Sequence, residues 1–101
     1  MKFEIIIEEA AEYEWNEAVD WYEEREPGAG LRFNSIVWEY LEKISTEFPR
    51  FPQASRLTQR AKIRDWPYSI FFVVNESHRQ ISVVAIWHGR RKPAILKRRF
   101  K

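Results

Sequence analysis

The residues best suited to chemistry stand near the carboxyl end, in the stretch "VVAIWHGRRKP" from Val83 to Pro93. An apolar run ends there in His88, Gly89, the cations Arg90, Arg91 and Lys92, and a proline. An imidazole titrates near neutral pH and can take or give a proton. Guanidinium groups can grip phosphate oxygens through two parallel N–H donors, which an ammonium cannot do. A second cationic set lies upstream in "RLTQRAKIRDW", where Arg60, Lys62 and Arg64 alternate with Ala61 and Ile63. That period of two predicts a strand with one face charged and the other apolar. Metal-free RNA cleavage needs a base for the 2′-hydroxyl, an acid for the departing 5′-oxygen and cations for the charge gathering on phosphorus. His88 suits either proton-transfer role, and Arg64 the catalytic cation beside it. Arg60, Lys62, Arg64, Arg90, Arg91 and Lys92 are the candidates for holding a phosphate or an anionic target. A base is the weak member of this set, because Asp65 and Glu76 are the only carboxylates after Phe48.

Each assignment has a plainer counterpart. A lone histidine at a strand end is more often a structural hydrogen-bonding group than a catalyst. A cationic ladder can be a solvated outer face, although three cations in alternate positions concentrate potential in one place. Trp15, Tyr22 and Trp38 read as core or helix packing, whereas Trp66 either closes the core or stacks on a base.

Charge is divided along the chain. From Met1 to Phe48 there are 13 acidic against 4 basic residues, and from Pro49 to Lys101 there are 2 against 13. A net charge of +2 therefore hides an acidic half and a basic half. The basic half is expected to attract nucleic acid or an acidic partner segment. No cysteine is present, which removes disulfides and thiolate metal sites and fits a reducing cytoplasm. The aliphatic and aromatic run Ile70 to Val74, which no other apolar run exceeds, is far short of the roughly 20 residues of a membrane-spanning helix. The start "MKFEIIIEEA" has no extended apolar segment of the secretory type. No phosphate-binding loop, dinucleotide fingerprint or His/Cys cluster appears, and His78 and His88 fall in separate predicted elements, so neither cofactor nor metal is expected.

The elements that must position these residues follow from periodicity. "KFEIII" reads as a first strand. From about Glu8 to Arg25, Ala11, Trp15, Ala18 and Tyr22 recur at spacings of four, three and four, which predicts a helix. "EPGAG" breaks it, and Phe33, Val37, Leu41, Ile44 and Phe48 align a second helix. Pro49 and Pro52 end helical structure. Between Arg56 and Arg64 the odd positions Leu57, Gln59, Ala61 and Ile63 read as the core face and the even positions as solvent. "YSIFFVVN", apolar on both faces, and "ISVVAIWH" complete an antiparallel meander. The expectation is one α+β domain over residues 1–101, a two-helix hairpin packed on a small antiparallel-rich sheet, in the order β-α-α-β-β-β.

Three ordered segments, "WYEEREPGAGLRF", "RDWPYSIFFVV" and "ISVVAIWHGRRKP", resemble the RelE/ParE superfamily of toxins from bacterial type II toxin–antitoxin pairs. The resemblance runs from about Glu8 to Pro93. It implies a small cytoplasmic toxin of the plasmid-stabilisation kind, covered by a cognate antitoxin, without a cofactor. It also implies one of two targets. "HGRRKP" and "WPYSIFF" look more like the ParE side, for which the target is DNA gyrase. The alternative is a ribosome-dependent, metal-independent messenger RNA endoribonuclease of RelE type. A non-toxic nucleic-acid-binding module or a degenerate toxin is a further alternative. Gly89 and Pro93 are expected to hold the three cations between them on a short loop.

Overall fold

Burial of one stripe on each of two helices sets the architecture. In α1 (Glu9–Arg25) the buried residues are Ala11, Trp15 and Ala18, and in α2 (Ala29–Glu47) Phe33, Val37, Leu41 and Ile44 are all essentially inaccessible. Each of these α2 side chains contributes roughly 1.5–3 kcal/mol on leaving water. A 3-10 turn at Phe48–Arg50 ends the second helix, and Phe48 packs its ring 4.9 Å from that of Phe3. The structure, a computed structural model, describes residues 2–99; Met1, Phe100 and Lys101 lie outside it, and with them the end of the basic carboxyl-terminal segment.

Two glycines let the helices meet. Gly28 has φ of +92°, a left-handed conformation that residues with a Cβ rarely adopt. Gly30 sits where an added Cβ would lie 2.6 Å from the Val19 carbonyl oxygen and 2.9 Å from Glu23. Glu23 then turns that proximity to use: its carboxylate accepts the backbone N–H groups of Gly28 and Gly30, each at 3.0 Å. These are donors at the start of α2 that have no partner within the helix.

The helices cover one face of a four-stranded sheet of order β1-β4-β3-β2, formed by β1 (Glu4–Ile7), β2 (Gln59–Lys62), β3 (Tyr68–Asn75) and β4 (Gln80–His88). β2, β3 and β4 form the expected antiparallel meander, and β1 lies parallel to β4 on the far side. A short helix not foreseen from the sequence, α3 (Pro93–Arg98), follows β4. Alternation holds within β2, where Ala61 is buried and Arg60 and Lys62 are exposed, and Ile63 beyond it is buried too. It fails just upstream: Leu57 is 60% exposed and Thr58 only 1%. Pairing with β3 begins at Gln59, and before it the chain bends so that the Ser55 and Thr58 hydroxyls share a 2.6 Å hydrogen bond. The extended period therefore cannot be carried back past the first ladder residue.

β4 contains one residue more than β3 opposite it. Phe71 pairs with Ala85 and Phe72 with Val83, so Val84 is a bulge. The bulge inverts the alternation. Ile81 and Val83 face the helices before it, and Ile86 does so after it, in the same core as Phe33, Ile70 and Phe72. Ala85 and Trp87 face the opposite side, where they pack with Phe71 and with Leu96 of α3.

At one end of the inner layer an aromatic group closes the core. Tyr22 packs against Phe33, Trp66 and Tyr68 with centroids 5.3, 4.8 and 6.3 Å away. Trp66 thus belongs to the core margin. Trp38 is 55% exposed and stands edge-on to buried Trp15 at 5.1 Å, which is helix packing.

Gly30→Ala should lower stability by about 1–3 kcal/mol, because a helix–helix contact has no room for the added methyl; chemical denaturation of the folded protein checks it. Burial raises the pKa of Tyr22, and raises that of Tyr68 with further contributions from Tyr22 and Glu14 that Arg91 opposes. The fold therefore favours the neutral phenols. Unfolded tyrosines ionise near pH 10, so stability should be intact below about pH 10 and decline as pH rises above it. Thermal unfolding as a function of alkaline pH should show that decline in the wild type, and a shallower one in Tyr68→Phe.

Candidate functional site

The cationic ladder lies on the sheet face turned away from α1 and α2. Arg60 pairs across to Phe71 and Ala85, and Lys62 to Ser69 and Trp87. The two rows give a floor of Phe71 and Trp87 with cations beside it. A groove of about 480 Å³ runs over this face, with Arg60, Ser69, Phe71, Trp87, Leu96 and Lys97 among its walls. A smaller groove of about 200 Å³ brings Arg50 and Lys43 next to Arg60 and Lys62. Tyr40 lines it too, and its hydroxyl accepts the backbone N–H of Arg64 at 3.0 Å. Arg50 pairs with Glu47, but no acid pairs with Arg60, Lys62 or Arg64 among the described residues. An apolar floor with unpaired cations fits an anionic partner that also brings apolar or aromatic groups.

His88 faces the other way. It pairs with Tyr68 across the ladder, and the rings meet edge-on at 5.0 Å on the helix side of the sheet. The backbone N–H of Arg90 donates to its Nδ1 at 3.0 Å, so the neutral imidazole carries its proton on Nε2. His88 lines a cleft of about 590 Å³ between α1 and this end of the sheet, with Tyr13, Glu17, Trp21, Tyr22 and Tyr68 around it. Arg64 is not among its walls. The turn that carries Arg64 does reach the same end of the sheet, where the Gly89 N–H donates to the Pro67 carbonyl at 2.8 Å. Ladder and imidazole are thus on opposite faces, and the arrangement brings His88 to Arg90 more directly than to Arg60 or Lys62. The carboxylates beside His88, Glu14 and Glu17, come from the acidic helix, where a search of the basic half alone could not find them.

The loop of cations after β4 is not uniform. Arg90 and Lys92 are exposed and pair with no acid among the described residues. Arg91 reaches back over the Trp87 ring, 3.7 Å from its centroid, and pairs with Glu14 at 3.1 Å. Arg99 joins the same carboxylate at 2.7 Å and also donates to the Val84 carbonyl at 3.0 Å. Glu14 completes its bonding by accepting the Ile86 N–H at 3.0 Å. Glu14 and Arg99 carry no sequence signal of their own, being one acid among many in α1 and one cation among many at the end of the chain. Gly89 is placed less tightly than its type suggests: an added Cβ would find the Pro67 oxygen at 3.6 Å, an ordinary contact. α3 begins at Pro93, a residue type common in the first helical turn.

Chemically, this surface can hold phosphates or acidic side chains at Arg60, Lys62, Arg64, Arg90 and Lys92. Among the described residues no group of three His, Cys, Asp or Glu side chains could hold a metal ion, and no helix is long and apolar enough to cross a membrane.

Solved structures place the fold among known ones. A chromosomal ParDE toxin–antitoxin system from P. aeruginosa matches with a TM-score of 0.74 at 15% identity, over 86% of this chain and 96% of that one. A RelBE toxin–antitoxin complex from Mycobacterium tuberculosis matches at 0.64 and 16% identity, over 87% and 92%. The isolated E. coli RelE toxin matches at 0.58 and 14% identity, over 95% and 94%. No curated protein matches the chain significantly. The sequence model of the ParE toxin of type II toxin–antitoxin systems, parDE, matches residues 5–93. With most of the chain inside that match and the fold described above, the protein belongs to the ParE toxin family of type II toxin–antitoxin systems, within the RelE/ParE superfamily.

Proposed function

We propose that this toxin arrests growth by interfering with DNA gyrase, and that its cognate antitoxin neutralises it by covering the cationic outer face of the sheet. The observation that carries the gyrase reading is the separation of His88 from Arg60 and Lys62 on opposite sheet faces. General acid–base catalysis on one phosphodiester requires proton-transfer group and phosphate-holding cations within hydrogen-bond reach of the same group. A surface that binds without such an assembly suits a protein that captures a target rather than cleaves one. Membership in the ParE rather than the RelE side supports the same target. For the antitoxin, the unpaired cations beside Phe71 and Trp87 fit a segment bearing carboxylates and apolar side chains. A reducing cytoplasm and a role in plasmid stabilisation go with this assignment.

The ribosome-dependent endoribonuclease reading has one observation in its favour: His88, Glu17 and Arg90 line one cleft, so two groups able to transfer a proton and a cation border the same space. Under that reading His88 is the catalytic residue and Arg64 its phosphate-holding partner from the adjoining turn.

Inducible expression with parallel readouts separates the two. Under the gyrase reading, plasmid supercoiling should change before any messenger RNA is cut, and His88→Gln should still arrest growth. Early cleavage of messenger RNA that His88→Gln abolishes would overturn it. For the loop, Arg90→Ala combined with Lys92→Ala should weaken growth arrest while stability changes by less than about 0.5 kcal/mol, as at other exposed sites. Arg91→Ala should instead cost on the order of 1 kcal/mol or more, because it removes a partner from a nearly buried carboxylate. Comparing growth arrest and thermal unfolding across these variants tests both statements.

A further inference from the structure

β1 pairs with β4 only from Gln80 to Val83, so the edge of β4 on that side is bare of strand from Val84 onward. Side chains satisfy it instead: the Glu14 carboxylate takes the Ile86 N–H, and the Arg99 guanidinium gives to the Val84 carbonyl. Four donor contacts converge on that one carboxylate: Arg91 at 3.1 Å, both terminal nitrogens of Arg99 at 2.7 and 3.3 Å, and the Ile86 amide at 3.0 Å. The Glu14 side chain is 10% exposed, while those of Arg91 and Arg99 are 44% and 27% exposed. The acid is therefore the inner member and the guanidiniums are the outer ones, reachable from solvent. Both lie near the Trp87 ring, at 3.7 and 5.1 Å from its centroid, so the indole is an aromatic wall beside both cations.

Two forked cations and a backbone N–H around one anion form the donor set that recognises a phosphate. We propose that Arg91 and Arg99 are a phosphate-binding pair for the nucleic acid that the toxin's target carries, the DNA on gyrase under the reading above, kept occupied in the free toxin by the chain's own Glu14. The exchange is one of partners with no covalent step: the guanidiniums turn outward to a phosphodiester, and Glu14, uncovered as they leave, keeps the Ile86 amide and gains water in their place. This rests on the reading that the loop after His88 faces the target, since Arg90 and Lys92 on that loop would supply the first, unobstructed contacts. Glu14 then sets how strongly the toxin binds, because each guanidinium must leave a carboxylate before it meets a phosphate. Without it, the segment from Arg90 to Arg99 would present all its cations at once and bind any polyanion.

The test compares affinity for a short single-stranded oligonucleotide at about 0.1 M salt. Glu14→Gln keeps an acceptor for the Ile86 amide but removes the charge. It should bind more tightly, by roughly fivefold for each guanidinium released, the factor expected for one phosphate contact to a single strand at that salt. Adding Arg99→Gln to Glu14→Gln should take back most of the gain. In the wild type, the side-chain Nε–H resonances of Arg91 and Arg99 should shift as oligonucleotide is added, a measurement that stands even if Glu14→Gln fails to fold. Unchanged or weaker binding by folded Glu14→Gln, or Arg91 and Arg99 resonances that stay fixed at saturation, would overturn the proposal. Arg90→Ala with Lys92→Ala separates the causes. If that variant binds the oligonucleotide less well while Glu14→Gln binds as the wild type does, the loop is the contact surface and only the role of Glu14 fails. If neither variant changes affinity, the underlying reading of the loop fails with it.

Discussion

The extra residue in β4 is the constraint on which the functional geometry depends. Without the bulge at Val84, the alternation that buries Ile81 and Val83 would continue and would turn Ala85 and Trp87 toward the helices. Ile86 and His88 would then face outward, beside Arg60 and Lys62. One inserted residue therefore decides which face receives the imidazole and which the indole. It also lets Trp87 become the floor on which Arg91 lies, and lets Ile86 enter the main core.

The same strand explains why the carboxyl-terminal segment is held in place. A strand edge left without a partner exposes backbone groups that must be satisfied by something else. Here α1 supplies Glu14 and the end of the chain supplies Arg99, so a helix near the start and a segment near the end are joined through the bare part of β4. A nearly buried carboxylate needs such a set of donors, and removing one of them without admitting water in its place weakens the compensation of the charge. Among the described residues the acidic and basic halves of the chain thus meet in ion pairs at Glu14, with Arg91 and Arg99, and at Glu47, with Arg50. α1 keeps most of its carboxylates in solvent, and the sheet keeps most of its cations there.

Close approach of the helices is the other requirement. Gly30 lets α2 lie against the backbone of α1 at Val19, and Glu23 is then near enough to cap the first turn of α2. This fixes the tilt of the hairpin over the sheet, and with it the position of Tyr22 against Tyr68 and the cleft that His88 lines.

The sequence by itself determined the order β-α-α-β-β-β, without the short α3, the stripes of Ala11, Trp15, Phe33, Val37, Leu41 and Ile44 that form the core, and the cationic face of β2. Each of these is local: a period of 3.6 or 2 is read over a few turns or residues, and burial of one face follows. The family resemblance was legible for a related reason, since its segments are the hairpin turn and the strand ends that this local pattern fixes. Three matters were decided only in three dimensions. The bulge at Val84 leaves no mark in an apolar run where every residue could face inward. The burial of Thr58 and exposure of Leu57 depend on where pairing with β3 begins. The distinction of Arg91 and Arg99 from the neighbouring cations requires Glu14, which is distant in sequence and is brought there by α1 crossing the bare edge of β4. Pairing between distant charges is set by how elements pack, and a single chain read in order carries no record of which acid a given arginine will meet.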